Sequence, residues 1–326
     1  MLCRRPRLPP VPRQATQTDG LAAARPWHVR PSAGPDAQPE GGCRVSGRAG
    51  WAGRHVLVTG GSSGIGRELV HQLRGAGAVV SVLALDDTDL ARLRASAPDV
   101  HVRGVDVTDA AAVGSATDEL AAAAGPVRSL FTCAGISRPG CVQDLGLGDF
   151  RAQMEVNYFG TLHAVRAVLP GMLHSGDATI TCISSAAGLL GVFGYAAYGP
   201  SKFAVRGLCE VLRQELKPHG VSVTAAYPPD VDTPQLAMET PLQPPELQAI
   251  SGTIKPLTAQ SVATAILRGT ESGRSSVFPD VRTRALSRLV GTAPWFVDRA
   301  LDRTIAKVRR RRPADPRRCP GPANLS

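Results

Sequence analysis

What the chain has little of narrows it first. Only 4% of its 326 residues are aromatic, so its 43% hydrophobic share is carried mainly by Ala, Val and Leu. That mix suits helices packed closely on a sheet, and the length suits one large α/β core. There is no long apolar run. The one extended uncharged stretch, between Asp177 and Lys202, is interrupted by Gly, Ser and Thr and by Tyr195, Tyr198 and Pro200, which excludes a membrane-span reading. The opening "MLCRRPRLPPVPRQ" has an Arg pair with no apolar segment behind it, so a signal peptide is not expected. Paired cysteines are missing too. The seven, at positions 3, 43, 133, 141, 182, 209 and 319, form no C-x-x-C, and Cys133 and Cys182 fall within apolar runs. Reduced, buried thiols in a cytoplasmic protein are expected. The histidines show no ligand spacing, so no metal site is expected.

Acidic residues are scarce only at the two ends. The net charge of +10 divides into +5 over residues 1–50, −4 over 51–280 and +9 over 281–326. A nucleic-acid partner would call for a basic folded domain, so none is expected. Residues 1–50 are rich in Pro, Arg, Gly and Ala without periodicity and read as a disordered leader. Residues 51–280 read as the folded domain, and 281–326 as a basic, partly helical tail.

Within the middle region, strand-like runs alternate with helical ones. Strands are expected at 55–59, 78–84, 100–105, 129–133, 178–184 and 221–227, with an edge strand at 275–278. Helices are expected at 64–75, 87–96, 109–123, 147–174, 198–217 and 258–272, and a basic amphipathic segment at 282–312. The alternation argues for a doubly wound parallel sheet, an α/β fold with both faces covered.

The first strand–helix turn reads "VTGGSSGIGRELV", with Thr59, Gly60, Gly61, Gly64 and Gly66. Glycines there let the backbone approach a pyrophosphate while the next helix offers its N-terminal amides. Further on, Tyr198 and Lys202 in "YGPSKFAVRG" are four apart and share a helix face. An ammonium there would favour the phenolate and lower the Tyr198 pKa towards the working range. Ser185 ends the fifth strand thirteen residues before Tyr198, and its hydroxyl can face the same substrate oxygen; Ser184, next to it, should face away. Asn157 sits mid-helix, where Asn is disfavoured. It is either a locally satisfied buried polar group or the anchor of a water serving Lys202, and its company favours the second reading.

The set Thr59–Gly66, Asn157, Ser185, Tyr198 and Lys202, in this order and spacing, resembles the short-chain dehydrogenase/reductase family over residues 54–280. The resemblance implies a Rossmann-type sheet of about seven strands and a nicotinamide cofactor. It implies that Tyr198 donates a proton to a carbonyl, Ser185 orients that carbonyl, Lys202 lowers the Tyr198 pKa and holds the nicotinamide ribose, and Asn157 supports the proton relay. Cofactor contacts are implied for Thr59, Gly60, Ser62, Ser63, Gly64, Ile65, Gly66, Asp86, Asp106, Val107, Ala134, Gly135, Tyr198, Lys202, Pro228 and Thr233, with Asp106 at the adenine and Thr233 at the carboxamide. The chain departs from the family pattern at Thr132, where Asn is usual, and at Arg128, where Asp is common. It also departs at Ala84, Leu85 and Ser63, so neither the NADH nor the NADPH pattern is met.

The stretch "AYPPDVDTP" after the sixth strand, with "SSAAGLLGVFGYAAYGPSKFAVRGL" and "LQAISGTIKP", resembles 3-ketodihydrosphingosine reductases. It implies a lipid-like ketone substrate, the 3-keto group of a long-chain base, in an apolar groove for which Leu189, Leu190, Val192, Phe193, Leu236 and Met238 are candidates. A steroid, retinoid or small-alcohol dehydrogenase and a non-catalytic cofactor-binding sensor remain the alternatives. Family likeness also implies a homo-oligomer through the helices at 147–174 and 198–217. The tail leaves two readings: peripheral contact with the inner face of a membrane, Trp295, Phe296 and Val297 dipping in beside the Arg cluster, or a solvated basic tail.

Overall fold

Short β-branched runs and longer Ala-, Leu- and Val-rich ones divide the chain into strands and helices. The structure, a computed structural model, describes residues 50–252 and 255–311. In chain order they form β1 (His55–Thr59), α1 (Gly64–Gly75), β2 (Val79–Ala84), α2 (Thr88–Ser96), β3 (His101–Gly104), α3 (Ala110–Ala124) and β4 (Ser129–Thr132). Then come α4 (Leu147–Met154), a π-helical turn (Glu155–Phe159), α5 (Gly160–Ser175), β5 (Ala178–Ile183), α6 (Tyr198–Leu216) and β6 (Val221–Ala226). The last part holds β7 (Val231–Asp232), α7 (Pro234–Glu239), α8 (Pro245–Ser251), β8 (Leu257–Thr258), α9 (Ala259–Glu271), β9 (Ser276–Val277), α10 (Val281–Thr292) and α11 (Pro294–Arg311). The proposed leader at 1–50, save Gly50, lies outside the described residues, as do Cys3, Cys43 and Cys319.

Seven strands pair in the order β3-β2-β1-β4-β5-β6-β9, all parallel. The order reverses between β1 and β4, so a crevice opens there at the carboxyl ends of the strands. Strand residues alternate between two cores. Leu57, Leu130, Ile180 and Val223 pack with α3, α5 and α6 residues such as Met172 and Leu212 on one face. Val56, Val58, Val82 and Phe131 pack with Leu69, Leu90 and Ile266 of α1, α2 and α9 on the other. That is the two-residue period of a strand covered on both sides.

One expectation changes in detail. The helix expected over 147–174 is not continuous, because one π-turn divides it at Glu155–Phe159. The turn adds a residue to the helical ladder and rotates Asn157 fully inside. The segment 282–312, expected as basic and partly helical, forms two helices in its described part, α10 and α11, and α11 packs on α8. Four described cysteines carry free thiols, with Cys182 and Cys209 buried.

The amino-terminal edge of the sheet is sewn by buried polar groups. The Arg54 guanidinium donates to the Ser129 hydroxyl (2.7 Å), to the Arg128 carbonyl (3.3 Å) and to Asp177 (3.0 Å), tying the entrances of β1, β4 and β5. Beside it, buried His55 donates through Nδ1 to the Gly125 carbonyl (2.6 Å) and accepts through Nε2 from the Ser81 hydroxyl (2.7 Å). Burial lowers the His55 pKa from 6.5, against the pull of the Gly125 carbonyl. A histidine held neutral contributes stability that is present above its unfolded pKa and lost as pH falls through the folded one. Stability in urea should therefore decline as pH drops below about 6.5, and decline less in His55→Asn. Parallel pH profiles for the two proteins would show that His55 carries none of it.

Candidate active site

The carboxyl ends of β1, β2, β4, β5 and β6 surround one cavity of about 750 Å³. Its floor is the turn between β1 and α1. Gly60 has φ +65°, and a side-chain carbon there would lie 2.7 Å from the Ala134 amide nitrogen. A carbon on Gly66 would run into the Gly60 carbonyl. Only glycine permits this approach of turn, helix start and β4 exit. The N-terminus of α1 therefore faces the cavity with no side chain blocking its amides.

Most of the expected cofactor residues meet here. Gly60, Ser62, Ser63, Gly64, Ile65 and Gly66 line the cavity on one side, and Asp106, Val107, Ala134 and Gly135 on another. Pro228 and Thr233 close it beyond β6, and the Thr233 methyl would stand 3.3 Å from a carbon added at Gly64. Thr59 and Asp86 do not line it. Thr59 is buried and accepts from the Ala134 amide (3.3 Å), so it fixes the β4 exit from below. Asp86 turns away to pair with Arg94 (2.8 Å) and packs on Gly104, leaving Ala84, Leu85 and Asp87 as the wall. Asp87 also caps α2 by accepting from the Leu90 amide (2.9 Å). Asp106 accepts from the Thr108 amide and hydroxyl (both 2.9 Å), which shapes the turn after β3.

At the inner end stand Ser185, Tyr198 and Lys202. β5 ends by splitting two serines. Buried Ser184 donates to the Lys202 carbonyl (2.9 Å), whereas Ser185 faces the cavity and the Tyr198 hydroxyl. Lys202 is 6% exposed; its ammonium donates to the Ile183 carbonyl (3.1 Å) and lies 5.7 Å from the Tyr198 ring centre. Burial lowers the Lys202 pKa to about 8. The Tyr198 pKa is raised, not lowered as expected. Burial is the largest influence on the phenol and raises it, the Ser185 hydroxyl opposes it, and Glu239 and Asp230 raise it further. Tyr198 thus holds its proton firmly at neutral pH.

Asn157 does not line the cavity. Its Oδ1 accepts from the Ile136 amide (2.8 Å), and its two amide hydrogens go to the Ile136 carbonyl (2.9 Å) and the Ser201 hydroxyl (2.9 Å). Its side chain is thus satisfied within the protein. It clamps the segment after β4 to the first turn of α6. Thr132, the departure from the usual Asn, is buried against the Thr161 hydroxyl (3.5 Å). Arg128, the other departure, donates to the Ser175 carbonyl (3.4 Å) at the far edge of the sheet.

The apolar groove is only partly the expected one. Leu190, Val192 and Leu236 line it; Leu189 belongs to the main core, Phe193 lies under the Arg309 guanidinium, and Met238 is exposed. The wall that sequence reasoning missed comes from Leu247 and Ile250 of α8, Leu286 and Leu289 of α10, and Phe296 and Leu301 of α11. The i, i+3 spacing of Leu286 and Leu289 was the available signal, masked by the surrounding arginines. Val297 is buried within this cover, so of the three residues expected to meet a membrane only Trp295 and Phe296 stay exposed. Among the described residues no helix is long and apolar enough to cross a membrane.

A nicotinamide dinucleotide fits what is present: a side-chain-free turn at a helix start, a cavity crossing the strand-order reversal, and polar groups at its inner end. Comparisons agree. The short chain dehydrogenase family profile matches residues 54–243. A 3-dehydrosphinganine reductase of Danio rerio is 38% identical over 239 residues, covering 70% of this chain and 72% of the relative. A short-chain dehydrogenase/reductase of Burkholderia phymatum in complex with NAD superposes with TM-score 0.66 at 27% identity, covering 73% of this chain and 93% of the other. One of Burkholderia cenocepacia in complex with NADP gives TM-score 0.67 at 25% identity, covering 78% and 99%. Matched in sequence over most of its length and in fold by cofactor-bound relatives, the chain belongs to the short-chain dehydrogenase/reductase family.

Proposed function

We propose that this protein reduces the 3-keto group of a sphingoid-type long-chain base with NADH or NADPH. The observation that carries it is the form of the cavity: a phenol, a hydroxyl and an ammonium at one end, and an apolar wall of α8, α10 and α11 leading away from them. A small alcohol would not need that wall. The relative of Danio rerio bears the name of this activity.

A bound nicotinamide supplies the hydride. The protein does the rest. Ser185 donates to the carbonyl oxygen and orients it towards Tyr198. The carbonyl carbon gains hydride while its oxygen takes the Tyr198 proton, so the ketone becomes a secondary alcohol and the phenol a phenolate. Lys202, cationic below its pKa of about 8, lies over that ring and stabilises the phenolate until it is reprotonated. Asn157 acts as a positioning residue, holding residues 134–136 against α6. Their place in the cavity lining supports cofactor contacts for Gly60, Ser62, Ser63, Gly64, Ile65, Gly66, Asp106, Val107, Ala134, Gly135, Pro228 and Thr233, with Thr59 as support behind them.

Exposed Leu147, Phe159, Phe203 and Val211 on α4 to α6 and the π-turn support a homo-oligomer built on those helices. Exposed Trp295 and Phe296, beside Arg282, Arg288, Arg299 and Arg303, support contact with an anionic membrane surface at the helices that wall the cavity.

Purified protein with 3-ketodihydrosphingosine should oxidise one or both reduced cofactors. Tyr198→Phe should lower kcat by roughly a thousandfold while cofactor binding, read by fluorescence, persists. Turnover that survives Tyr198→Phe would remove the phenol from the mechanism. A second measurement concerns cofactor choice. Leu85 is exposed where the chain leaves β2, and the wall residues on either side of it, Ala84 and Asp87, are not cationic. Leu85→Arg should raise the ratio of kcat/KM for NADPH over NADH about tenfold; an unmoved ratio would place the ribose elsewhere. Finally, pelleting with vesicles should be stronger for anionic than for zwitterionic lipid and should weaken in Trp295→Glu. Equal pelleting on both lipids would leave the arginine-rich helices solvated.

A further inference from the structure

The cavity wall beside Tyr198 carries two carboxylates that the proton transfer does not use. Glu239, at the end of α7, is 5% exposed. It accepts from Gln235 (2.8 Å) and from the Tyr195 hydroxyl (3.3 Å), both neutral, and the Tyr195 ring lies 5.1 Å from that of Tyr198. Asp230 also lines the cavity, and its carboxylate has no hydrogen-bond or ion-pair partner among the described residues. Its backbone is held firmly. Pro228 and Pro229 precede it, and its carbonyl accepts from the Leu257 amide (3.0 Å) where β7 pairs with β8. Burial raises both carboxyls, and Asp230 raises Glu239 further.

Two carboxylates facing one mostly apolar cavity repel each other and lack the water that would otherwise stabilise them. The cations lining the cavity do not answer them fully. Lys202 feels Glu239 but donates to the Ile183 carbonyl, and Arg282 is exposed at the rim. In a 2-amino-3-ketone the nitrogen is two bonds from the carbonyl carbon, so it lies roughly 3 Å from the carbonyl oxygen. With that oxygen on Ser185 and Tyr198, the ammonium falls within reach of the wall beside Tyr198, whose carboxylates Asp230 and Glu239 line the same cavity and act on the phenol.

Resting on the keto-lipid reading above, we propose that Asp230, backed by Glu239, is the counter-ion for an ammonium on the carbon next to the reacting ketone. It makes the enzyme selective for 2-amino-3-ketones over long-chain ketones without the amine. Asp230 is thus a specificity-determining residue, and the stiff Pro228-Pro229 exit holds it in place.

The test compares kcat/KM for 3-ketodihydrosphingosine and for the same chain lacking the amino group, in wild type and in Asp230→Asn. Wild type should prefer the amine by about tenfold or more, and Asp230→Asn should lose most of that preference. A second measurement needs no variant: sphinganine should inhibit wild type about tenfold more strongly than N-acetylsphinganine, whose nitrogen is uncharged. Should Asp230→Asn fail to fold, this comparison decides. Equal reduction of both ketones by wild type, or an undiminished preference in Asp230→Asn, overturns the subsite and leaves the keto-lipid reading standing. A wild type that reduces no 3-ketone with either cofactor overturns both.

Discussion

The site depends on β5 pairing in register with β4 on one side and β6 on the other. That register sets Ile183 at the edge of the sheet, where its carbonyl receives the Lys202 ammonium. It also sets the two serines after it on opposite sides, Ser184 against the α6 backbone and Ser185 towards Tyr198. A slip of one residue would exchange the serines and turn the strand's core residues to the wrong face. The parallel sheet, buried on both sides, makes such a slip costly, and so the chemistry inherits its geometry from ordinary core packing.

Around that frame the chain places polar groups where burial alters them. Lys202 is pulled down and Tyr198 pushed up, in each case mainly by loss of water. The raised phenol stays in the protonated form that can donate, and Lys202, still cationic below about 8, lies beside it. Asn157 contributes differently. Its hydrogen bonds join the β4 exit to α6, so its effect on the chemistry runs through the backbone of residues 134–136.

Much of this was legible in the sequence. The strand–helix alternation, the glycine turn and the Tyr198–Lys202 pair depend on local periodicity and spacing, which one-dimensional reading captures. The sheet and the inner end of the cavity followed from them. Three features were not legible. The π-turn at Glu155–Phe159 leaves no periodic mark, because one inserted residue alters phase over a single turn. Asp86 and Asp87 look equivalent in "LALDDTDL", and only the salt bridge to Arg94 separates the one that turns away. The cover formed by α8, α10 and α11 was hidden by its arginines, whose charged ends reach solvent while Leu286, Leu289 and Leu301 line the cavity.

The two halves of the cavity therefore answer to different constraints. The cofactor side is built on strand ends and a glycine turn that tolerate almost no added atom. The far side is a helical cover, of which α8 follows the β6 exit at Pro228-Pro229 and α10 and α11 follow β9. Asp230 stands at the junction, and its charge reaches the Tyr198 phenol as well as the cavity. If an ammonium pairs with Asp230, part of the charge influence that raises Tyr198 is relieved while the larger effect of burial remains, and the phenol becomes a somewhat stronger acid when the matching substrate is bound. Selectivity for the amine would then appear in kcat as well as in KM, because the same charge that binds the substrate loosens the proton it receives.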